Sequence, residues 1–267
     1  MILLTVYLFV LGLCFGSFVN ALVWRIHENK DWVKGRSQCP NCSHILASKD
    51  LAPVLSWVLL RGRCRYCHSP ISWQYPLVEL SMAAVFSLSY LLWPMSLNQT
   101  GSLVLLVTWL IASIGLMALL VYDLRWMILP NKILYPTFFI AVAGQLTYLA
   151  GFEHHRLHYL LTWLASVAIA SGIFLALFLV SKGRWIGFGD VRLGLITGTV
   201  LHSPLLSLLM IFLASLLGSL AVLPLLISGK KSLSAKLPYG PFLIAATFLC
   251  LLFGNSLISD YKKIFLP

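Results

Sequence analysis

Eight apolar stretches, each close to the length that crosses a bilayer, decide what this chain can fold into. A hydrocarbon core about 30 Å thick takes roughly 20 consecutive apolar residues as a helix. The stretches cover 2–24, 76–93, 102–122, 133–151, 159–180, 185–201, 204–227 and 241–258. The sixth is the shortest and is rich in glycine. Prolines at 76, 204 and 241 open three of them, where a missing N–H costs nothing. Apolar residues make up 60% of the chain and charged ones 10%, against about 45–50% and 25% in soluble domains. No water-soluble core hides that much apolar surface, which excludes a soluble enzyme and a disordered chain. The expected fold is an all-α polytopic membrane protein of about eight transmembrane helices.

The remaining charge is lopsided, 19 Lys and Arg against 8 Asp and Glu. Nucleic-acid binding is one reading of such a surplus, but membrane proteins gather Lys and Arg in their cytoplasmic loops. With the N-terminus outside, the loops 25–75, 123–132, 181–189 and 228–240 are cytoplasmic. They hold 15 of the 19 basic residues, among them Lys34, Lys230, Lys231 and Lys236. Both termini are therefore expected outside, with membrane lipid and not nucleic acid as the surrounding partner. The first stretch lacks a basic leader and a small-residue cleavage site, so it reads as a retained span and not a signal peptide. The expected domains are a first transmembrane helix (1–24), a cytoplasmic loop domain (25–75) and a second transmembrane domain (76–267).

The loop 25–75 carries Cys39-Pro-Asn-Cys42 and Cys64-Arg-Tyr-Cys67. A C-x-x-C turn presents two thiolates from one tight loop, and two such turns close a tetrahedral zinc site. A cytoplasmic loop disfavours disulfides, and the metal supplies folding free energy to a segment with little core. Four protein ligands leave no position for water, so Cys39, Cys42, Cys64 and Cys67 are expected to hold a structural zinc ion. His44 and His68 beside them are bystanders. Cys14 and Cys250, within spans, are packing residues.

Acidic residues in spans are costly and so are functional candidates. Glu79, Asp123 and Asp190 are the three in or against the spans. Asp123 directly follows 102–122, and Asp190 ends Gly187-Phe188-Gly189-Asp190 at the start of the short sixth span. The charge pattern puts both at the cytoplasmic edge, at one depth. Two carboxylates so placed share a proton, one activating a water and the other acting as acid. Taken singly, each Asp reads more simply as a helix cap or as the partner of Arg125 or Arg192; the pair with G-x-G-D does not. Helix dipoles favour the carboxylate at a helix start and disfavour it at a helix end, which would leave the proton on Asp123. Gly194 and Gly198 form a G-x-x-x-G pair suited to tight helix packing. Glu79 is either a substrate contact or a buried structural acid. His154, His155 and His158 cluster in an outside loop.

At these residues the sequence resembles the type IV prepilin peptidases, the leader peptidase/N-methyltransferases of the GxGD aspartic class. The likeness runs through Gly16-Ser17-Phe18-Val19-Asn20 with Arg25, Arg36-Ser-Gln-Cys39-Pro-Asn-Cys42 and Leu60-Arg61-Gly62-Arg63-Cys64-Arg65-Tyr-Cys67. It continues in Ile71-Ser-Trp-Gln-Tyr75-Pro76-Leu-Val-Glu79, Asp123 ahead of Leu129-Pro130, and Gly187-Phe-Gly-Asp190. The resemblance implies a bacterial inner-membrane enzyme that cuts the leader from prepilins or pseudopilins on the cytoplasmic side. It then methylates the new N-terminal residue with S-adenosylmethionine. Asp123 and Asp190 match the catalytic pair and the four cysteines match the zinc ligands; the residues binding the methyl donor are not assigned. Two positions depart from the pattern: Asn131, where Asp is common, and Arg192, where Lys is common. No G-x-G-x-x-G follows a strand, so a Rossmann methyltransferase is not supported. The competing readings are a peptidase without methyl transfer, a proton-coupled transporter and a zinc-knuckle scaffold.

Overall fold

The apolar stretches fold as eight long helices in a computed structural model that describes residues 1–31, 35–227 and 237–265. They are α1 (Ile2–His27), α3 (Gln74–Leu91), α4 (Thr100–Trp126), α5 (Asn131–Gly151), α6 (Arg156–Ser181), α7 (Phe188–Leu201), α8 (Pro204–Ile227) and α9 (Gly240–Phe265). A short α2 (Leu55–Leu59) lies in the loop after α1. Lys34, Lys230, Lys231 and Lys236, counted among the cytoplasmic charges, lie outside the described residues.

Among the described residues six helices are long and apolar enough to cross a membrane unaided: α1, α4, α5, α6, α8 and α9. The other two, α3 and α7, fall short of that measure. Helix α3 begins with Gln74 and carries Glu79, which dilute its apolar character. Helix α7 has 14 residues, about 21 Å at 1.5 Å per residue, short of a 30 Å core. The expected span 185–201 loses its first three residues to a turn, in which Lys182 and Gly183 have positive φ and Gly187 is extended. The short helix is instead shielded by protein, with Leu193, Gly194, Ile196, Thr197, Gly198 and Thr199 all buried. The chain is an integral membrane protein.

Helices pair where small residues let backbones meet. Helix α1 runs along α3, α6 along α7, α4 against α5 and α8 against α9. A Cβ on Gly16 falls 2.5 Å from the Cα of Glu79, and one on Gly194 falls 2.6 Å from the carbonyl oxygen of Ala170. Neither position admits a side chain without parting the helices. Without a hydrophobic drive between spans, close packing and interhelical hydrogen bonds carry association. Ser166 donates to Gly198 O at 2.8 Å, Ser171 to Val191 O at 2.9 Å and Gln145 to Thr199 O at 2.9 Å, fixing α7 between α5 and α6.

Helix ends then place the acids. Helix α4 runs one turn beyond the expected 122, so Asp123 sits in its last turn. Met127 takes a left-handed C-cap there, and Leu129-Pro130 turns the chain into α5. Helices α7 and α9 both begin at the same end of the bundle, because both contact this part of the fold and each other.

Candidate active site and metal centre

The last turn of α4 and the first turns of α7 and α9 bring Asp123, Asp190 and the Tyr239-Gly240 pair together. Asp123 is buried, 5% exposed, and accepts a hydrogen bond from the Gly240 backbone N–H at the start of α9. A Cβ on Gly240 falls 2.6 Å from Asp123 Oδ2, so hydrogen at that position is what admits the carboxylate. Asp190 is the third residue of α7. Its carboxylate accepts from the Gly187 N–H, while its own N–H donates to Gly187 O at 3.1 Å. That exchange is half of a capping box, with Asp in the role of the N3 acid. The Asp123 carboxylate stands close enough for its charge to act on Asp190, and Asp190 in turn acts on Tyr239. Tyr239 is held by its hydroxyl 3.2 Å from that of Ser215 and by edge-on packing against Phe174.

The simple dipole argument fails on this geometry. It set Asp190 at a helix start against Asp123 at a helix end. Asp123 ends α4 but also caps α9, so both acids meet a helix N-terminus and the dipoles do not separate them.

Gly189 packs against the turn after α4, where its Cβ would lie 3.2 Å from Leu129 Cδ1. On the Gly187 side the nearest atoms to a Cβ are Asp190 Oδ2 at 3.7 Å and Gly189 N at 3.9 Å, leaving Asp190 approachable there. Asn131 and Arg192, read from sequence as separate departures, touch each other: the Arg192 guanidinium donates to the Asn131 side-chain oxygen. The same guanidinium lies 5.3 Å from the Phe188 ring centre. The two positions therefore form one unit tying α5 to α7 beside Asp190.

The four loop cysteines converge. Their sulfurs all lie within 4.8 Å of one another, and no other group of three or more metal-ligating side chains among the described residues does so. The sulfurs of Cys39 and Cys67 are 3.9 Å apart, against about 3.8 Å for the edge of a tetrahedron with 2.3 Å zinc–sulfur arms. The donor set and its spacing fit zinc. Hydrogen bonds from the Ser69 side chain and backbone hold the Cys67 thiol down at about 6, which favours the thiolate a metal needs. The two knuckles are copies of one another 25 residues apart. Cys39 N–H donates to His44 O and Cys64 N–H to Ser69 O; Ser43 N–H returns to Cys39 O and His68 N–H to Cys64 O. Ser43 and His68 both have positive φ, and the bridges Gln38–Ile45 and Arg63–Pro70 flank them. The sequence carries the same duplication: Trp-Val-x-x-Arg-x-x-Cys-x-x-Cys runs over 32–42 and again over 57–67.

Asp50 ties the second knuckle to the segment that follows the first. It accepts from Arg65 Nε at 2.7 Å, Tyr66 hydroxyl at 3.0 Å and Ala47 N–H at 3.2 Å. Burial pushes its carboxyl upward, but these three donors outweigh it and hold the group below the ordinary carboxylate range. A carboxyl lowered on folding stabilises above its unfolded pKa, and that contribution is lost as pH falls through the folded value. Asp50→Asn is therefore expected to lower the thermal midpoint of the zinc-loaded loop at pH 7. An unchanged midpoint by differential scanning calorimetry would show the contacts to be idle.

Glu79 is a buried structural acid. Its Oε2 accepts from Val54 N–H at 2.6 Å and its carboxylate from the Ser17 hydroxyl. Val54 has a φ of 58°, costly for a β-branched residue, so Glu79 fixes a strained corner of the loop to the membrane helices. Asn20 donates to Tyr75 O at 3.2 Å and accepts from Gln74 at 3.1 Å. The stretch 16–20 is thus the seam that joins α1, α3 and the loop. Cys250 is buried, while Cys14 is exposed on the flank of α1. The sequence reasoning missed Tyr239 and Gly240; their only signal was the Gly-Pro start of the last helix.

Residues 10–93 match the family described as Bacterial Peptidase A24 N-terminal domain, and residues 110–223 match the Type IV leader peptidase family. The prepilin leader peptidase/N-methyltransferase of Aeromonas hydrophila is 30% identical over 284 residues, covering 97% of this chain and 93% of its own length. The protein of the same description from Bacillus subtilis (strain 168) is 29% identical over 258 residues, covering 96% of this chain and 97% of its own. That of Myxococcus xanthus (strain DK1622) is 51% identical over 84 residues, 32% of this chain and 25% of its own. No solved structure matches the chain significantly.

Proposed function

Since this chain belongs to the type IV leader peptidase family, we propose that it cuts the leader from prepilins or pseudopilins. It then methylates the new N-terminal residue with S-adenosylmethionine. The observation that carries the peptidase half is the meeting of Asp123 and Asp190, each held by one glycine N–H. A carboxylate has about four acceptor sites, so each acid keeps capacity for a water or a peptide proton. With one proton between them, one carboxylate takes a proton from water as its oxygen attacks the scissile carbonyl. The other gives its proton to the amine nitrogen as the C–N bond breaks. Arg125, Lys132, Lys182 and Arg184 border the same end of the bundle, which supports a cytoplasmic active site in the bacterial inner membrane. The substrate helix enters from the bilayer with its leader in the cytoplasm. Cys39, Cys42, Cys64 and Cys67 hold a structural zinc ion. The domain division is 1–24 for the first helix, 25–75 for the zinc loop and 76–267 for the peptidase. S-adenosylmethionine supplies a methyl carbon on a positively charged sulfur, a bond that breaks toward sulfur as an amine lone pair takes the methyl.

The test is incubation of a purified prepilin with the detergent-solubilised protein and methyl-labelled S-adenosylmethionine. A shortened pilin labelled on its new N-terminal residue is expected. Cutting without label would leave a peptidase alone, and no cutting would overturn the proposal.

Gly240→Ala offers a sharper check on the geometry. The added carbon, 2.6 Å from Asp123 Oδ2, must displace the carboxylate or the start of α9. Misplacing a reacting group by about 1 Å costs roughly 10²-fold in rate. The expected result is a kcat about 10²-fold lower with KM and zinc content near wild type; a wild-type kcat would count against Asp123 as a reacting group.

A further inference from the structure

A cavity of about 650 Å³ lies between the ends of α1, α3 and α4 and the thiolate loop. That volume falls in the range of small-molecule sites, roughly 300–1,000 Å³. Its wall combines three chemistries. Trp24, Trp57 and Tyr75 give aromatic surface, Arg25, Arg65 and Arg125 give positive charge, the last of them from the last turn of α4, and Glu79 gives a carboxylate from within α3. Asp50, the other acid on the wall, is already committed to Arg65, Tyr66 and Ala47. Glu79 holds Val54 N–H and the Ser17 hydroxyl, which leaves acceptor capacity in a carboxylate. A buried acid is costly, and a cation placed against it offsets that cost.

We propose that this cavity binds the methyl donor S-adenosylmethionine, with Arg125 taking its carboxylate and Glu79 facing its cationic end. The aromatic rings then receive the adenine, since a base stacks on any aromatic face. The proposal rests on the methyltransferase half of the function above and adds a site to it. A neutral lipid tail would have no use for Glu79 or the arginines, and an anionic headgroup would answer the arginines but leave Glu79 unmatched; a ligand bearing both signs matches both. Residues 123 and 125 of α4 are two apart, about 200° around a helix. Asp123 therefore faces α7 and α9 while Arg125 faces the cavity. The last turn of α4 stands between the two sites, so cleavage and methylation are successive reactions at separate places joined by one helix end.

The test is equilibrium binding of radiolabelled S-adenosylmethionine to the purified, zinc-loaded, full-length protein in detergent, without prepilin. Arg125→Ala and Glu79→Gln are each expected to weaken Kd at least 10-fold, with zinc content and thermal unfolding measured alongside to report folding. Ultraviolet crosslinking of the labelled donor to wild type supplies a readout that needs no variant. Label in peptides containing 17–25, 54–57, 72–79 or 125 supports the site even if Glu79→Gln loosens the loop. Unchanged Kd in both folded variants, or label in peptides elsewhere, overturns the cavity while leaving methyl transfer intact. If wild type neither binds the donor nor labels the cut pilin, the methyltransferase reading itself falls, and the cavity assignment with it.

Discussion

Asp123→Asn and Asp190→Asn should each reduce prepilin cleavage by at least 10²- to 10⁴-fold, the usual worth of one positioned proton-transfer group. Asparagine keeps the volume of aspartate and keeps an oxygen for the Gly240 or Gly187 N–H, so the helix starts that these acids cap remain capped. What it removes is the ability to take or give a proton. Because one acid serves as base while the other serves as acid, losing either stops the cycle. The double variant should then be scarcely worse than the singles, the non-additivity expected of residues acting as a unit. Single-turnover cleavage of a prepilin in detergent reads all three variants. Two partial losses that multiply in the double variant would mean that the acids act independently, and cleavage at the wild-type rate would remove them from the chemistry. Capping alone, the simpler role for each Asp, predicts the opposite pattern. It would leave both the rate and the thermal stability of the Asn variants near wild type, and would cost only the Ala variants a cap worth about 1 kcal/mol.

The reach of the sequence follows from the range of each physical effect. Apolar runs are local, so all eight long helices were legible, as was the cost of leaving an acid among them. Metal chemistry needs only residue type and spacing, so Cys39, Cys42, Cys64 and Cys67 could be grouped before their sulfurs were seen to converge. Helix ends were less legible. Hydropathy does not register a left-handed residue at Lys182 or the extended Gly187, so α7 was drawn three residues too long. Contacts between distant segments were not legible at all. Gly240 meets Asp123 across more than a hundred residues, and no periodicity announces it. For the same reason the sequence shows Asp123 at the end of one helix but not at the start of another. Asn131 and Arg192 were visible only as two odd residues; their contact makes them one feature. Glu79 was weighed as a substrate contact or a structural acid, and its bonds to Val54 and Ser17 give it the structural role. They also leave it facing the cavity.

Removing zinc should unfold the loop while leaving the membrane helices in place. Among the described residues of 35–73, the buried side chains are those of Cys39 and Cys64, so two of the expected ligands are the whole of the local core. A segment of this size with no apolar interior cannot offset its conformational entropy of about 1–2 kcal/mol per residue. Structural zinc in small peptides supplies about 10–16 kcal/mol at neutral pH, far more than any single hydrogen bond or ion pair in this segment. The remaining ties, Asp50 to Arg65 and Tyr66 and Glu79 to Val54, each contribute a few kcal/mol at most. They also need the knuckles to be formed first. Chelation, or Cys39→Ser with Cys64→Ser, should therefore erase amide hydrogen-exchange protection across both knuckles while protection in α4, α6 and α7 persists. Circular dichroism should change little, since the described residues of the loop hold only α2 and a single short 3-10 turn of helix. The cavity loses its outer wall in the same step, so binding of S-adenosylmethionine should fall with the metal. Knuckle amides that stay protected after the zinc is stripped would mean that hydrogen bonds alone hold this loop, and the metal would lose its structural role.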